Sequence, residues 1–582
     1  MINLKKAPFN LDQTGIDWVT KTLNNMTLEE KIGQLFCTIG MSDEKAALDY
    51  LTKDIQIGGI MFRPTSGESL MTTHRYLQDN SKIPLLIAAN LESGGQGAVA
   101  EGINFGMPMG VAATNDAEFG YRLGKVSCAQ GAAVGINWSF APIVDIDMNF
   151  RNPITNLRTF GSDVDKVINM SKGYLRGAAE EGLAVSIKHF PGDGVDERDQ
   201  HLLTSINSLS ASEWRETYGR VYQELIKEDA QTVMVGHIAQ PEMVKALKPD
   251  ATREEQYTPG SLSPVLLNNL LREELDFNGL IVTDATLMVG FTSFMSRKDA
   301  VPAAIANGCD MFLFNKSVAE DFEYMLKGYQ EGVITEERLN EAVTRILATK
   351  ASLNLPEKQA NNTLVPSVES LPKALANEEH KAWTSECADA AVTLVKDTQN
   401  MLPLNPTTHK RLYLNVIERS IVAESDFTKS LKEALEKEGF EVTLRNRLGN
   451  IDAAKMMAGD ISEEMMASLA DMQQPTSEFS KQFDAALIVG NIGASSNEVT
   501  IRLAFDALGN DIPWFVKDVP TAFVSFGNPY HLLDVPMVST VINSYTSSET
   551  VIKATVDKML GRSDFKGVSP VDPFCGREEL TF

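Results

Sequence analysis

The feature that most constrains this chain is a series of short apolar runs without polar alternation, each followed by a polar loop and a helically patterned stretch. The runs are IGGIMF (57–62), LLIAAN (85–90), WSFAPIVDI (138–146), LAVSIKHF (183–190), TVMVGHI (232–238), GLIVTDA (279–285) and DMFLFN (310–315), with PMGVAA (108–113) a weaker eighth. A strand with one wet face alternates apolar and polar residues. An unbroken apolar run is covered on both faces, which is the condition of a parallel sheet. About eight strand-helix repeats in roughly 300 residues match a (β/α)8 barrel, although periodicity alone leaves an open doubly wound sheet available. The polar residues that end these runs favour the barrel: Asn90, Asp145, Lys188 with His189, His237, Asp284 and Asn315. In a barrel the carboxyl ends of all the strands converge on one face, where the active site lies.

Helical patterning continues to residue 353, and 354–372 is rich in Pro, Asn and Ser. A second strand-helix series follows, with VTLVKDT (392–398), RLYLNVI (411–417), FEVTLRN (440–446), AALIVGN (485–491), TAFVSFGNP (521–529) and TVINSYTS (540–547). The expected fold class is therefore α/β: a TIM-like (β/α)8 barrel over 1–353, a linker over 354–375, and a smaller three-layer α/β sandwich domain over 376–582. At 582 residues, two cores are the natural division. The methionine-rich stretch 452–472 has helical spacing and reads as packing surface rather than a cofactor box.

A net charge of −25 argues against nucleic acid or an anionic membrane as partner, since both are bound by neutralising phosphates with Lys and Arg. The five cysteines show no paired short spacing, so neither a disulfide framework nor a zinc site is expected. The histidines lack HExxH or comparable spacing, and no cofactor is expected. With no signal-peptide core or apolar span in the sequence, the expected location is the cytoplasm. The expected partner is a small carbohydrate bound by a monomer or homodimer.

His189, His201 and His237 fall within fifty residues of one another, and the richest segment is SIKHFPGDGVDERDQH (186–201). It resembles the KHFPG…D-x-H signature of glycoside hydrolase family three β-N-acetylglucosaminidases, including the twelve-residue gap from His189 to His201. IVTDATLM (281–288), FAPIVDI (140–146), NPITNLRTFG (152–161), VMVGHI (233–238), GCDMFLFN (308–315), GNPY (527–530) and SYTSS (544–548) extend the resemblance over nearly the whole chain. The resemblance implies release of terminal β-linked N-acetylglucosamine with retention, as in cell-wall-recycling enzymes. It assigns Asp284 as nucleophile, and His201 as acid/base oriented by Asp199. Asn90, Arg158, Lys188 and His189 are implied to bind sugar. The chemistry is coherent: retention needs a carboxylate at the anomeric carbon and a second group that first gives and then takes a proton. An imidazole of ordinary pKa near 6.5 does both around neutral pH.

Residue by residue, plainer readings stand beside these. Arg158 can pair with Asp145 or Asp147 as scaffold, and Lys188 can be an ion-pair partner at the barrel mouth. His237 is as readily structural as functional, and Asp145 reads as structural. The sequence also departs from the family. Asn90-Leu91-Glu92-Ser93-Gly94-Gly95 replaces an Asp-Gln-Glu-Gly-Gly run, Ala98 stands where an arginine is usual, and Asp193 replaces the histidine of an FPGHG turn. A neutral imidazole, unlike a carboxylate, does not repel a phosphate dianion, so phosphorolysis is the nearest alternative to hydrolysis. Some relatives with this dyad are phosphorylases. A β-glycosidase of other sugar specificity, or a non-catalytic sugar-binding protein, are the further alternatives.

Overall fold

Each of the seven stronger apolar runs contains a strand, and an eighth strand precedes them all. The strands are β1 (Phe36–Gly40), β2 (Gly59–Phe62), β3 (Leu86–Ala89), β4 (Trp138–Ser139), β5 (Ala184–Phe190), β6 (Thr232–Val235), β7 (Leu280–Thr283) and β8 (Phe312–Leu313). All their pairings are parallel, in the order β8-β1-β2-β3-β4-β5-β6-β7, and a bridge between Val282 and Met311 joins the two ends into a barrel. From β3 to β8 every strand residue is buried, which is why these runs do not alternate. Inside the barrel, Trp138 Nε1 donates to Thr232 Oγ1 (2.9 Å), which donates to Val185 O (2.8 Å).

The computed structural model describes residues 2–419, 425–445, 457–472, 474–505 and 511–582. The first of two units comprises Met1–Phe105, Asp116–Lys381 and Ser496–Val499, and the second Gly106–Asn115, Ala382–Ser495 and Thr500–Phe582. Two assignments made from the sequence are corrected. PMGVAA is a helix, Pro108–Ala113, with Pro at its first turn; it is buried at all six positions, so its apolar pattern could not separate helix from strand. The true first strand, β1, which the run reading left out, lies one residue beyond the helix Leu28–Gln34 with no polar loop between them. The stretch 354–375, read as a linker, carries the helices Leu355–Ala360 and Leu371–Leu375. It is tied down by Arg75 Nη2 donating to Pro366 O (2.6 Å) and Gln359 Nε2 donating to Ser81 O (2.9 Å).

The second unit is built on a six-stranded sheet of β9 (Thr393–Asp397), β10 (Arg411–Ile417), β11 (Glu441–Leu444), β12 (Ala485–Gly490), β13 (Thr521–Ser525) and β14 (Thr540–Asn543). The order is β9-β14-β13-β12-β10-β11, and only the β9-β14 pairing is antiparallel. Leu412, Leu414, Leu487 and Val524 pack on one face with Leu431, Leu435 and Val556, while Ala486, Ile488, Phe523 and Val541 pack on the other with Phe479 and Phe515. Two covered faces make the expected three-layer α/β domain. Of the methionine-rich stretch, 452–456 lie outside the described residues, and Glu463–Met472 is helical.

Candidate active site

β7 ends at Thr283, so Asp284 stands at the carboxyl end of the barrel. Its N–H donates to Val235 O at the end of β6 (2.8 Å), and its Oδ1 accepts from Ala285 N (2.6 Å). Its Oδ2 lies 3.9 Å from His189 Nε2. Burial opposes its charge, but the facing imidazoles of His189, His237 and His201 and the Ala285 N–H outweigh that cost. The carboxyl is held below its ordinary value.

The register slips between Lys188 and Phe190 where β5 pairs with β6, and such an irregularity re-aims side chains; here Lys188 and His189 both serve the mouth. Asp145 fixes the imidazole. Its Oδ2 accepts from His189 Nδ1 (2.7 Å), and its Oδ1 accepts the N–H groups of His189 (3.1 Å) and Asp193 (2.8 Å). His237 uses both ring nitrogens: Nε2 donates to Ala285 O (3.0 Å) and Nδ1 accepts from Ser261 Oγ (2.8 Å). Burial lowers its pKa. With both nitrogens engaged, the ring holds the turn after Asp284 and has no nitrogen left for substrate.

Asp199 and His201 meet on the loop after β5. Asp199 Oδ1 accepts from His201 Nδ1 (2.6 Å) and from His201 N (2.8 Å), so Nδ1 carries a proton and Nε2 faces away from the carboxylate. The Asp199 side chain is fully buried while that of His201 is 26% exposed, so the carboxylate is enclosed and the ring reaches solvent. The loop bearing Asp284 is stitched to this one: Val289 N donates to His201 O (2.9 Å), Gly290 N to Gln200 O (3.2 Å) and Thr204 Oγ1 to Gly290 O (2.9 Å).

Arg158 and Lys188 converge on Glu92, which the sequence reading passed over. Arg158 Nε and Nη2 fork onto the two Glu92 oxygens (3.0 and 2.9 Å), and Lys188 Nζ reaches Oε1 (2.8 Å) and Asn90 Oδ1 (3.4 Å). Arg158 thus has Glu92, not Asp145 or Asp147, as its carboxylate partner. Burial opposes the Glu92 charge, and the two cations overcome it and hold the carboxyl far below the usual range. Asn90 is exposed at the end of β3, whereas Ala98 is buried and presents no donor. Asp193 is buried too. It accepts from Gly194 N (2.7 Å), Asn152 Nδ2 (3.1 Å) and Gln200 Nε2 (3.3 Å), and Gln200 Oε1 in turn accepts His237 N (2.7 Å). Burial and the nearby Asp145 charge push the Asp193 carboxyl up to about 8.

The barrel mouth therefore gathers Asp284, Asp199, His201, His189, Lys188, Arg158 and Asn90. Glu92, Asp145 and Asn497, whose N–H donates to Asp199 Oδ2 (2.8 Å), are additions. Glu92 stands in the altered 90–95 run without being singled out there, and nothing in the sequence marks Asn497. The profile of the "Glycosyl hydrolase family 3 N terminal domain" matches residues 27–349. The chain is 42% identical to a "Beta-N-acetylglucosaminidase/beta-glucosidase" of Cellulomonas fimi, over 99% of each chain. It is 43% identical to the solved "Beta-glucoside phosphorylase BglX", with TM-score 0.90 and 99% of each chain covered. A family 3 β-N-acetylglucosaminidase from Paenibacillus sp. str. FPU-7, at 22% identity and TM-score 0.76, covers 94% of this chain and 99% of its own and shares the fold.

Proposed function

The chain belongs to glycosyl hydrolase family 3 and is an enzyme of glycoside cleavage, and from that premise we propose that it removes terminal β-linked N-acetylglucosamine or glucose with retention of configuration. In this reading Asp284 Oδ2 attacks the anomeric carbon while His201 Nε2–H protonates the departing oxygen. The ring, now neutral at Nε2, then takes a proton from water as water attacks the glycosyl ester. Asp199 keeps the imidazole in one tautomer and steadies its cationic form, without becoming protonated itself. Asn90, Arg158, Lys188 and His189 bind the sugar, and Glu92 holds the two cations in place. The supporting observation is the pairing of a depressed carboxylate at the end of β7 with an oriented imidazole on the loop sewn to it. The name of the 42% identical relative supports both sugars.

A second reading takes phosphate as acceptor. It is favoured by an imidazole in place of the usual second carboxylate, because a neutral ring does not repel an incoming dianion, and by the 43% identical relative named a phosphorylase. One experiment separates the readings: turnover of aryl β-N-acetylglucosaminide and aryl β-glucoside, each with and without phosphate, with products resolved. Free sugar at a rate indifferent to phosphate is the expected result. Predominant sugar 1-phosphate would establish the second reading, and turnover of neither glycoside would overturn the proposal.

A further inference from the structure

A carboxylate that orients an imidazole must itself be kept from turning. Asp199 spends one oxygen, Oδ1, on the two N–H groups of His201. Its other oxygen, Oδ2, accepts the backbone N–H of Asn497 at 2.8 Å, from a residue 298 positions later in the chain. Asn497 lies in Ser496–Val499, the short segment that groups with the barrel unit while the residues before and after it group with the other unit. The loop carrying the dyad is irregular from Pro191 to Thr204. Its other ties to the Asp284 loop, through Val289 N, Gly290 N and Thr204 Oγ1, act on residues 200, 201 and 204 and leave the Asp199 carboxylate untouched.

We propose that the Asn497 amide is a positioning group for the acid/base pair: by holding Oδ2 it fixes the carboxylate plane, and through that plane the direction of His201 Nε2. The inference rests on the reading of Asp199 and His201 as the acid/base. The residue type agrees. Asn497 has φ of 66°, in the left-handed region where Asn is among the few side chains found often besides Gly. The direction of its N–H depends on that conformation. A β-branched residue there is strained and turns the amide aside.

The test is to replace Asn497 in the full-length chain by its α-hydroxy acid, so that a backbone ester oxygen replaces the N–H and the side chain stays. Aryl glycosides with good (2,4-dinitrophenyl) and poor (phenyl) leaving groups are then compared, with His201→Ala measured in parallel. A hydrogen bond to a charged group corresponds to about a tenfold effect or more. The ester chain should therefore lose about tenfold in kcat/KM on the phenyl glycoside, where protonation matters, and under about twofold on the dinitrophenyl glycoside. A merely structural contact lowers both equally or neither, and either outcome overturns the inference. If His201→Ala itself shows no preference between leaving groups, the acid/base reading fails and the inference falls with it. Asn497→Val and Asn497→Gly give a second comparison that needs no ester: the leaving-group-selective loss should be larger for Val. Equal losses would count against the amide.

Discussion

Two aspartates, Asp284 after β7 and Asp193 on the loop after β5, show how environment divides one residue type into different tasks. Asp284 and Asp193 are both buried, and burial alone raises a carboxyl pKa. Asp284 faces three imidazoles and is driven down; Asp193 faces the Asp145 charge and is driven up to about 8. The sign of the stability effect follows. A raised folded pKa means the fold binds the proton more tightly than the unfolded chain does, so the contribution is full below about pH 4 and is lost as pH rises towards 8. Asp193→Asn removes that titration. The variant's melting temperature relative to the parent should climb steadily in its favour between pH 5 and pH 9; a difference constant across that range would show that Asp193 titrates normally. As candidates, Asp199, His201 and Asp284 were legible through the motifs that resemble the family's. Glu92 was not, because an acidic residue beside glycines has no distinguishing period, and its role depends on two cations brought from residues 158 and 188 by the fold.

Elements were legible to the extent that burial wrote itself into the pattern. Seven barrel strands and all six of the second sheet fall inside runs read from the sequence; most do so because both faces are covered, whereas the edge strand Glu441–Leu444 alternates exposed and half-buried residues. The same rule misplaced Pro108–Ala113, since a helix buried all round is equally apolar, and it missed β1, which follows its helix with one residue between. The opposite end of the barrel from the site was also opaque. There Asp310, just ahead of β8 and fully buried, accepts Arg272 Nη2 (2.6 Å), Arg338 Nη2 (2.5 Å), Arg345 Nη1 (3.3 Å) and the β7 N–H of Ile281 (2.9 Å). Removing one member of such a cluster strands buried charge, which costs about 3–5 kcal/mol. Asp310→Ala should therefore unfold at much lower denaturant than the parent; a loss under about 1 kcal/mol would mean that water reaches the three guanidinium groups.

At the scale of the whole molecule the sequence predicts two units in succession, whereas the chain returns: 106–115 belongs with the second sheet, and 496–499 with the barrel. Local pattern carries no information about such returns, because they are decided by which surfaces meet after folding. The strand series and the motif-bearing loops needed only near neighbours to be read. The central claim is that Asp284 is the atom-bonding partner of the sugar. It is tested most directly by trapping the protein with a slow 2-deoxy-2-fluoro or 5-fluoro glycosyl fluoride of the sugar it turns over, and locating the added mass by peptide mass spectrometry. One glycosyl group on the peptide containing Asp284, absent in Asp284→Asn, is the result this account predicts. A label on any other carboxylate, or inactivation with no covalent mass at all, would contradict it.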